Sequence, residues 1–458
     1  MCPVFLRPEP LSQLKYKSFT QFFSKNCGVQ RQSLWSLAAA SEIPACGSKT
    51  DAPSGDTAQE PGTTENAGDS TGETTGMSPE EIQVGVILLH DENSAYDMAH
   101  IEGIKTACTE LGIPEENVTY KMNIPEDATC YDMAADLADA GCDIIFSDSY
   151  GHQTHMMQAA AEFPDTIFVA CTGDQAAVSG MSNVKNIFPY TYESRYVSGV
   201  VAGMKLKELL DNGEITEAKV GYVGAFPYAE VVSGYTAFLL GIQSIVPEAT
   251  MEVQYTNTWF GLTEEAEAAN VLMDRGAVII SQHADSTGAP SAVQAAWEAG
   301  KPVYSVGYNI DMQAAAPDAA LTSAQNVWAV LYKHTLETFL AGEEIPADFA
   351  CGYADGAQSI SALGKNCAEG TQEAVDAAWA GLKDGSLHIF DTSKFTVGGE
   401  TVTTSTFDLS IVDFVTGNVI YEGDTVECIK DGYFEESVHR AAPYFSLRID
   451  GITELNAQ

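Results

Sequence analysis

From Ile82 onward one unit recurs along the chain: a short run of β-branched and apolar residues, a turn, then a stretch with one apolar helical face. "IQVGVILL" is followed by "AYDMAHIEGIKTACTEL", in which Ala95, Met98, Ile101, Ile104 and Ala107 or Cys108 share a face. The runs "NVTYKM", "CDIIFS", "TIFVAC" and "NIFPY" then alternate with helical stretches near 127–140 and 152–163. Strands alternating with helices are the pattern of a doubly wound parallel sheet, because each crossover must return over one face of the sheet. A second series begins at Tyr192: a helix to about Leu210, then "KVGYVG", helix 229–245, "MEVQYT", helix 263–275, "AVIIS", helix 288–299 and "PVYSVG". The predicted fold class is α/β, with two Rossmann-like doubly wound lobes around a cleft. Lobe 1 is expected over 82–190 with a returning segment at about 325–345, and lobe 2 over 191–322, with hinges near 190, 306 and 322. Residues 346–458 form a C-terminal segment whose tail, from about 390, is rich in β-formers and receives no role.

What precedes Ile82 is different in kind. Residues 1–49 hold six Lys or Arg against two acids, whereas residues 51–80 hold seven acids and no base. The stretch "DAPSGDTAQEPGTTENAGDSTGETTG" has no large apolar side chain to offset the entropy of ordering, so 47–80 is expected to be a disordered acidic tether. Residues 1–46 form a leader, and "SLAAASEIPACGSK" ends like a lipoprotein processing site, with Ala45 before Cys46. Its apolar core is atypical, since Glu42 and Pro44 interrupt it; an unstructured basic tail is the plainer alternative to lipid attachment at Cys46. No run approaches the roughly 18 apolar residues of a membrane-spanning helix. The formal net charge of −42 would repel phosphate backbones, which argues against nucleic acid as a partner. Seven cysteines follow Cys46, none at C-x-x-C spacing; Cys108, Cys130, Cys142 and Cys171 fall on helices or strands as small core residues, and Cys351–Cys367 is the one bridge considered.

In open α/β sheets ligands sit outside the carboxyl ends of the strands, so the post-strand loops are where function is expected. "HDENSAY", "SDSYGH", "GAFPYAE", "TNTWFG", "SQHADST" and "VGYNID" bring aromatics and acids to that rim. The pair Trp259–Phe260 precedes a helix whose start is read from Thr263 as N-cap and from Glu264 and Glu265 in its first turn. Each residue also has a plainer reading. Trp259 and Phe260 would plug a lobe edge; Asp285 would cap the helix after "ADSTGAPS"; Glu230 would favour a helix dipole, and for it the cap is preferred. His152 and His155 in "GHQTH" supply half a metal site at most, and a solvated surface pair is preferred, so no metal is expected. No G-x-G-x-x-G or P-loop is present, and no cofactor is expected.

"FSDSYGHQTHMMQAAAEFPDTIF", "YESRYVSGVVAGM", "VGYVGAFPYAEVVSGYTAFLLGI", "TNTWFG", "SQHADS" and "VGYNIDM" together resemble, in order and spacing, the basic membrane protein family over about residues 82–335. The resemblance implies a type I periplasmic-binding-protein fold and a substrate-binding lipoprotein of an ABC importer, anchored outside the cytoplasmic membrane. A purine base or nucleoside would be the ligand and a membrane permease the partner. It also implies ligand roles for Tyr96, Ser149, Tyr150, Trp259, Phe260, Asp285, Ser286, Gly307, Tyr308, Asn309 and Asp311; Asp91 and Phe226, on the post-strand loops, are added to the expected ligand site from their chemistry, and the chain is expected to act as a monomer. Asn309 stands where nucleoside-binding relatives carry a Lys, which turns the expectation toward a free base.

Physical chemistry points the same way: a purine has two faces to stack on aromatics and an edge of donors and acceptors for carboxylates. Phosphorylated nucleotides should be repelled. A nucleoside hydrolase-like enzyme is the alternative from another class, but no nucleophile motif or metal cluster supports it. A binding protein for another small polar ligand remains open, and a sugar-repressor-like regulator lacks the helix-turn-helix it would need.

Overall fold

A computed structural model describes residues 76–412 and 418–457. The leader, Cys46 and the tether up to residue 75 lie outside the described residues.

The first series forms β1 (Val84–Ile87), α1 (Ala95–Leu111), β2 (Val118–Lys121), α2 (Ala128–Asp139), β3 (Ile144–Ser147), α3 (Gln153–Glu162), β4 (Ile167–Cys171), α4 (Ala176–Ser179) and β5 (Val184–Pro189). The second forms α5 (Thr191–Asp211), β6 (Lys219–Gly224), α6 (Ala229–Gln243), β7 (Thr250–Tyr255), α7 (Leu262–Asp274), β8 (Ile279–His283), α8 (Gly288–Glu298), β9 (Tyr304–Tyr308) and β10 (Ala320–Asn326). The chain then runs through α9 (Trp328–Leu340), β11 (Asp348–Cys351), β12 (Gln358–Ile360) and α10 (Thr371–Asp384). The α/β class expected from the sequence is what the chain adopts.

Two sheets result, ordered β11-β5-β4-β3-β1-β2 and β12-β10-β9-β8-β6-β7, the second extended beyond β7 by the strand Ile452–Glu454. Both repeat one doubly wound order, second strand, first, third, fourth, fifth, and all their pairings are parallel except β10 with β12. That order places the topological switch point of one lobe between β1 and β3, and of the other between β6 and β8. The central strands are buried on both faces, which is why they read as near-continuous apolar runs.

The crossings between lobes differ in part from the sequence expectation. The chain crosses at β5 to α5, again between β10 and α9, and a third time between β11 and β12. Residues 306 and 322 are no hinges, because Val306 and Thr322 are register partners inside one sheet. The returning segment also extends through Cys351, since β11 pairs with β5 of lobe 1. Helix α5 packs on α6 at very short range. A Cβ at Gly199 would lie 2.2 Å from the Phe238 carbonyl oxygen, and one at Gly241 would lie 2.1 Å from that of Tyr196, so only glycine fits at this crossing.

The tail is a strap rather than a domain. Phe390, Phe434, Tyr444 and Phe445 are buried in the core of lobe 2, with Phe390 and Phe445 stacked 4.4 Å apart. Between these anchors the strap reaches lobe 1: the Ala441 N–H donates to Asp348 Oδ2 (2.7 Å), and Arg440 Nη1 pairs with Asp174 Oδ2 (3.2 Å). Cys351 and Cys367 are both free thiols, so that bridge does not form; Cys351 lies in β11 of lobe 1, while the Cys367 thiol donates to the Leu321 carbonyl of lobe 2. Among the described residues no helix is long and apolar enough to cross a membrane.

Three glutamates, Glu265 and Glu436 buried and Glu193 half-buried, make stability pH-dependent. Burial pushes Glu193 and Glu265 up to about 7 and Glu436 up to about 8, from an ordinary 4.5. Glu193 joins two inter-lobe crossings by accepting the Tyr353 N–H (2.6 Å), and Glu436 accepts the N–H groups of Tyr444 and Phe445. Because the folded values exceed the unfolded one, the folded state binds more protons between pH 4.5 and 8. The associated stability, on the order of 3 kcal/mol per group, is full below pH 4.5 and lost as pH rises through 7–8. The thermal midpoint should therefore fall between pH 5.5 and 8.5, and Glu436→Gln should flatten that slope. A midpoint that rises over this range would contradict the assignment.

Candidate functional site

The two switch points face each other across the cleft. A narrow cavity of about 30 Å³ lies there, space for a water or two, lined by Leu89, Tyr96, Asp148, Ser149, Tyr150 and Thr172 from lobe 1 and by Glu230, Trp259, His283, Asp285 and Tyr308 from lobe 2, so a larger ligand enters it only as the lobes part. Each of these residues ends a strand or follows one, so the sheet order itself delivers them to one place.

The lobes are in direct contact around it. The Ala95 N–H at the start of α1 donates to the Asp285 carbonyl (3.1 Å), and the Asp285 N–H donates to the Trp259 carbonyl (2.8 Å). The rings of His90 and Phe260 are 5.4 Å apart, and those of Tyr150 and Tyr228 are 6.2 Å apart.

Aromatic rings and carboxyl groups share the walls. The Tyr96 hydroxyl donates to the Asp148 carbonyl (2.7 Å), which fixes its ring at the cavity side of α1. Trp259 is braced by Phe226, whose ring lies 5.3 Å away edge-on, and Phe226 stacks on Tyr228. Thr172 has φ +96, a conformation that a β-branched residue adopts only when its surroundings impose it. Its hydroxyl sits 3.4 Å from both the Asp148 carbonyl and the Tyr96 hydroxyl.

Asp148 is fully buried; Oδ1 accepts the Leu89 N–H and Oδ2 has no partner. Burial, and next the neighbouring Asp97 carboxylate, raise its pKa well above the carboxylate range, so the neutral acid is favoured. Asp97 goes the other way. Burial opposes its ionisation, but hydrogen bonds from His90 and Ser94 outweigh that and keep it charged. Asp285 is likewise raised well above the ordinary value, first by burial and then by Asp97.

One cation stands behind these acids. Arg195 of α5 is fully buried, its guanidinium 3.6 Å from the Tyr308 ring centroid, and its Nη1 donates to the Gln282 carbonyl. Burial and Arg195 push His283 down to about 4, so its 3.2 Å contact with Glu230 is a hydrogen bond of a neutral imidazole rather than an ion pair.

Of the residues singled out in the sequence, Tyr96, Ser149, Tyr150, Trp259, Asp285 and Tyr308 line this cavity. The others lie elsewhere, each for a local reason. Asp91 turns its carboxylate to Asn93 and Asn123, closing its own loop. Phe226 and Phe260 stand one ring behind the wall, against Trp259 and His90. Ser286 serves its loop, its N–H donating to Glu265 and its hydroxyl accepting from Gly288. Gly307 lies within β9, where a Cβ would strike Met312 and Ser323. Asn309, at φ +64, reaches Asp285 Oδ1 at 3.4 Å, and Asp311 caps a short 3-10 turn through Gln313.

Four plainer readings also change. Asp285 makes no capping bond; Thr287 holds the N-cap position of α8. Gly261, not Thr263, precedes the first turn of α7, and Glu265 reaches back to the Gly261 N–H. Glu230, preferred as a dipole partner, lines the cavity. His152 is no surface residue; it is buried, its ring bonded to Ser147 Oγ and the Ile124 carbonyl. No cluster of three metal-ligating side chains occurs among the described residues.

Asp148, Thr172, His283 and Arg195 were not singled out, although Asp148 and His283 lie inside the quoted loops. Arg195 had a signal: it is the lone cation in the otherwise small and apolar stretch "SRYVSGVVAG".

Comparison with known proteins decides the family. The model described as "ABC transporter substrate-binding protein PnrA-like", Bmp, matches residues 87–356. The chain belongs to the Bmp family. A purine-binding protein of Brucella abortus (strain 2308) is 31% identical over 312 residues, 68% of this chain and 83% of that protein. A putative ABC transporter glucose-binding protein, TsgA13, of Haloferax volcanii is 30% identical over 347 residues, 75% of this chain and 81% of that protein. In fold, the solute-binding protein of an ABC transporter system from Aeropyrum pernix K1 aligns with a TM-score of 0.57 at 16% identity, over 67% of this chain and 92% of that one. As a Bmp protein the chain is an extracytoplasmic substrate-binding protein of an ABC transporter, with a permease as its partner, and is not an enzyme. The family match stops at residue 356, so the strap lies beyond it.

Proposed function

We propose that this Bmp protein captures a purine base or nucleoside between its lobes and presents the closed form to the permease. The observation that carries the reading is the combination, in one inter-lobe cavity, of aromatic walls with two buried carboxyl groups that favour their neutral form. A neutral carboxyl has both an O–H donor and a carbonyl acceptor. It matches a purine edge, where a ring nitrogen that accepts sits beside an N–H that donates. Trp259, Tyr96 and Tyr150 would cover the faces. The lining holds no Lys or Arg to pair with a phosphate, and dehydrating that dianion without a cation is costly, so nucleotides are excluded from the same site.

The ligand's contacts to Asp148 and Tyr96 on one side and to Asp285 and Trp259 on the other would exist together only when the lobes meet. Binding therefore favours the closed population, the form a permease can recognise. The name of the Brucella relative is in keeping with a purine. Hydroxyl-rich sugars would also satisfy carboxyl groups, and the name of the Haloferax relative makes a hexose the second reading. Attachment through a lipid on Cys46, with the acidic residues behind it as spacer, and action as a monomer complete the proposal. Calorimetric titration of the full chain with adenine, guanine, hypoxanthine, their nucleosides, AMP and glucose tests it. Saturable purine binding without AMP binding is expected; glucose binding without any purine binding would overturn the ligand class.

A further inference from the structure

A second and larger cavity, about 370 Å³, adjoins the first and shares Tyr150, Glu230 and Trp259 with it. The lobes supply Phe188, Pro227 and Tyr228 to its walls, and the strap supplies Phe407, Arg440 and Pro443. We propose that this outer chamber is a second compartment of the ligand site, and that the ligand carries an apolar or aromatic substituent that lies in it against the strap. The proposal rests on the purine reading of the inner cavity for the identity of the ligand's polar head.

Three observations support it. The compartments are adjacent, with Trp259, Tyr150 and Glu230 common to both walls, so a shift of these side chains as the lobes part would let one molecule reach from the inner cavity into the chamber. The chamber's ionic groups are satisfied within its wall. Arg440 pairs with Asp174, donates to the Ala442 carbonyl and lies 4.8 Å from the Phe407 ring centroid, while Glu230 is hydrogen-bonded to His283. What remains for a ligand is largely ring and aliphatic surface, which favours a neutral, flat or branched apolar group over an ion. The wall is also built rather than loosely draped. Phe407 stacks on Tyr444 (5.3 Å), whose ring packs on Phe434 in the lobe 2 core, and Ala441 is tied to Asp348 of lobe 1. The strap thus holds its wall in register with both lobes while leaving space behind it.

Matched pairs titrated into the full chain by calorimetry test the inference: adenosine against N6-benzyladenosine, adenosine against 5′-deoxy-5′-phenylthioadenosine, and glucose against phenyl β-glucoside. The first two place the added ring at opposite ends of the head, so the result does not depend on its orientation. In at least one pair the extended member should bind ten or more times tighter than its parent. Phe407→Ala should cut that ratio at least fivefold. Val412→Asp, which places a charge at an exposed chamber residue, should do the same and covers the case in which Phe407→Ala does not fold. Extended members that bind no better than a parent that does bind would overturn the second compartment and leave the purine reading intact. A gain confined to the glucoside pair would keep the compartment and overturn the purine head. Binding by none of the six compounds would overturn both.

Discussion

Replacing Arg195 by leucine should lower the unfolding free energy by about 3–5 kcal/mol, more than any other single change at the cleft. Three losses combine. The desolvated guanidinium over Tyr308 contributes about 2 kcal/mol as a cation–π pair. The Gln282 carbonyl loses its charged donor in a buried setting, at about 1–3 kcal/mol. Asp285, whose pKa Arg195 pulls down against burial, is left with Asp97, Glu265 and Glu230 as its charged neighbours. Arg195→Lys should recover only part, because an ammonium cannot lie flat on the Tyr308 ring while reaching Gln282. The measurement is the urea midpoint of each variant at pH 7. A leucine variant with the parental midpoint would show that Arg195 does not hold the carboxyl-rich floor of the cavity together.

Trp259→Ala should weaken purine binding by roughly 10- to 100-fold, within the 1–3 kcal/mol range typical of a lost aromatic–base stack. The substitution is a clean probe of the side chain, since Trp259 positions Asp285 through its backbone carbonyl and alanine keeps that bond. Trp259→Phe should restore most of the affinity, as a smaller ring still covers one face of the base. Titration calorimetry on the three proteins separates the outcomes. An alanine variant within threefold of the parent would mean that Trp259 is rim packing, braced by Phe226 for structural reasons alone.

The architecture was legible because periodicity reports burial. Strands such as "GYVG" and "IIS" are buried on both faces and stay apolar throughout, while α1 alternates faces as a surface helix does. Which loops meet at the cleft was legible for the same reason, since strand order fixes it. Which side chain on a loop points inward was not. In "HDENSAYD" the acid nearest the strand, Asp91, is drawn into a local turn by Asn93, and Asp97, already inside α1, is the one turned toward Asp148. In "SDSYGH" three polar residues precede Tyr150, all of them buried, and it is the Leu89 N–H across the β1 loop that fixes the Asp148 carboxyl.

The strap was opaque because its strands are two or three residues long and take their order from distant partners. Phe445 against Phe390, Ala441 against Asp348 and Ile452 against Met251 are contacts that no local pattern announces. Glu436 makes the point from the other side. A glutamate in a polar, aromatic-rich stretch reads as surface, yet it is buried and accepts two backbone N–H groups.

The central claim is that the lobes close on a neutral purine between the aromatic walls and carboxyl groups that now line the inner cavity. The most direct measurement is a paired calorimetric titration of one preparation of the full chain with adenosine and with AMP at pH 7. The account predicts saturable, one-to-one binding of adenosine or its free base, and no heat of binding from AMP at the same concentrations. Equal or tighter binding of AMP would contradict it, because the lining offers a phosphate no cation to replace the water it would lose.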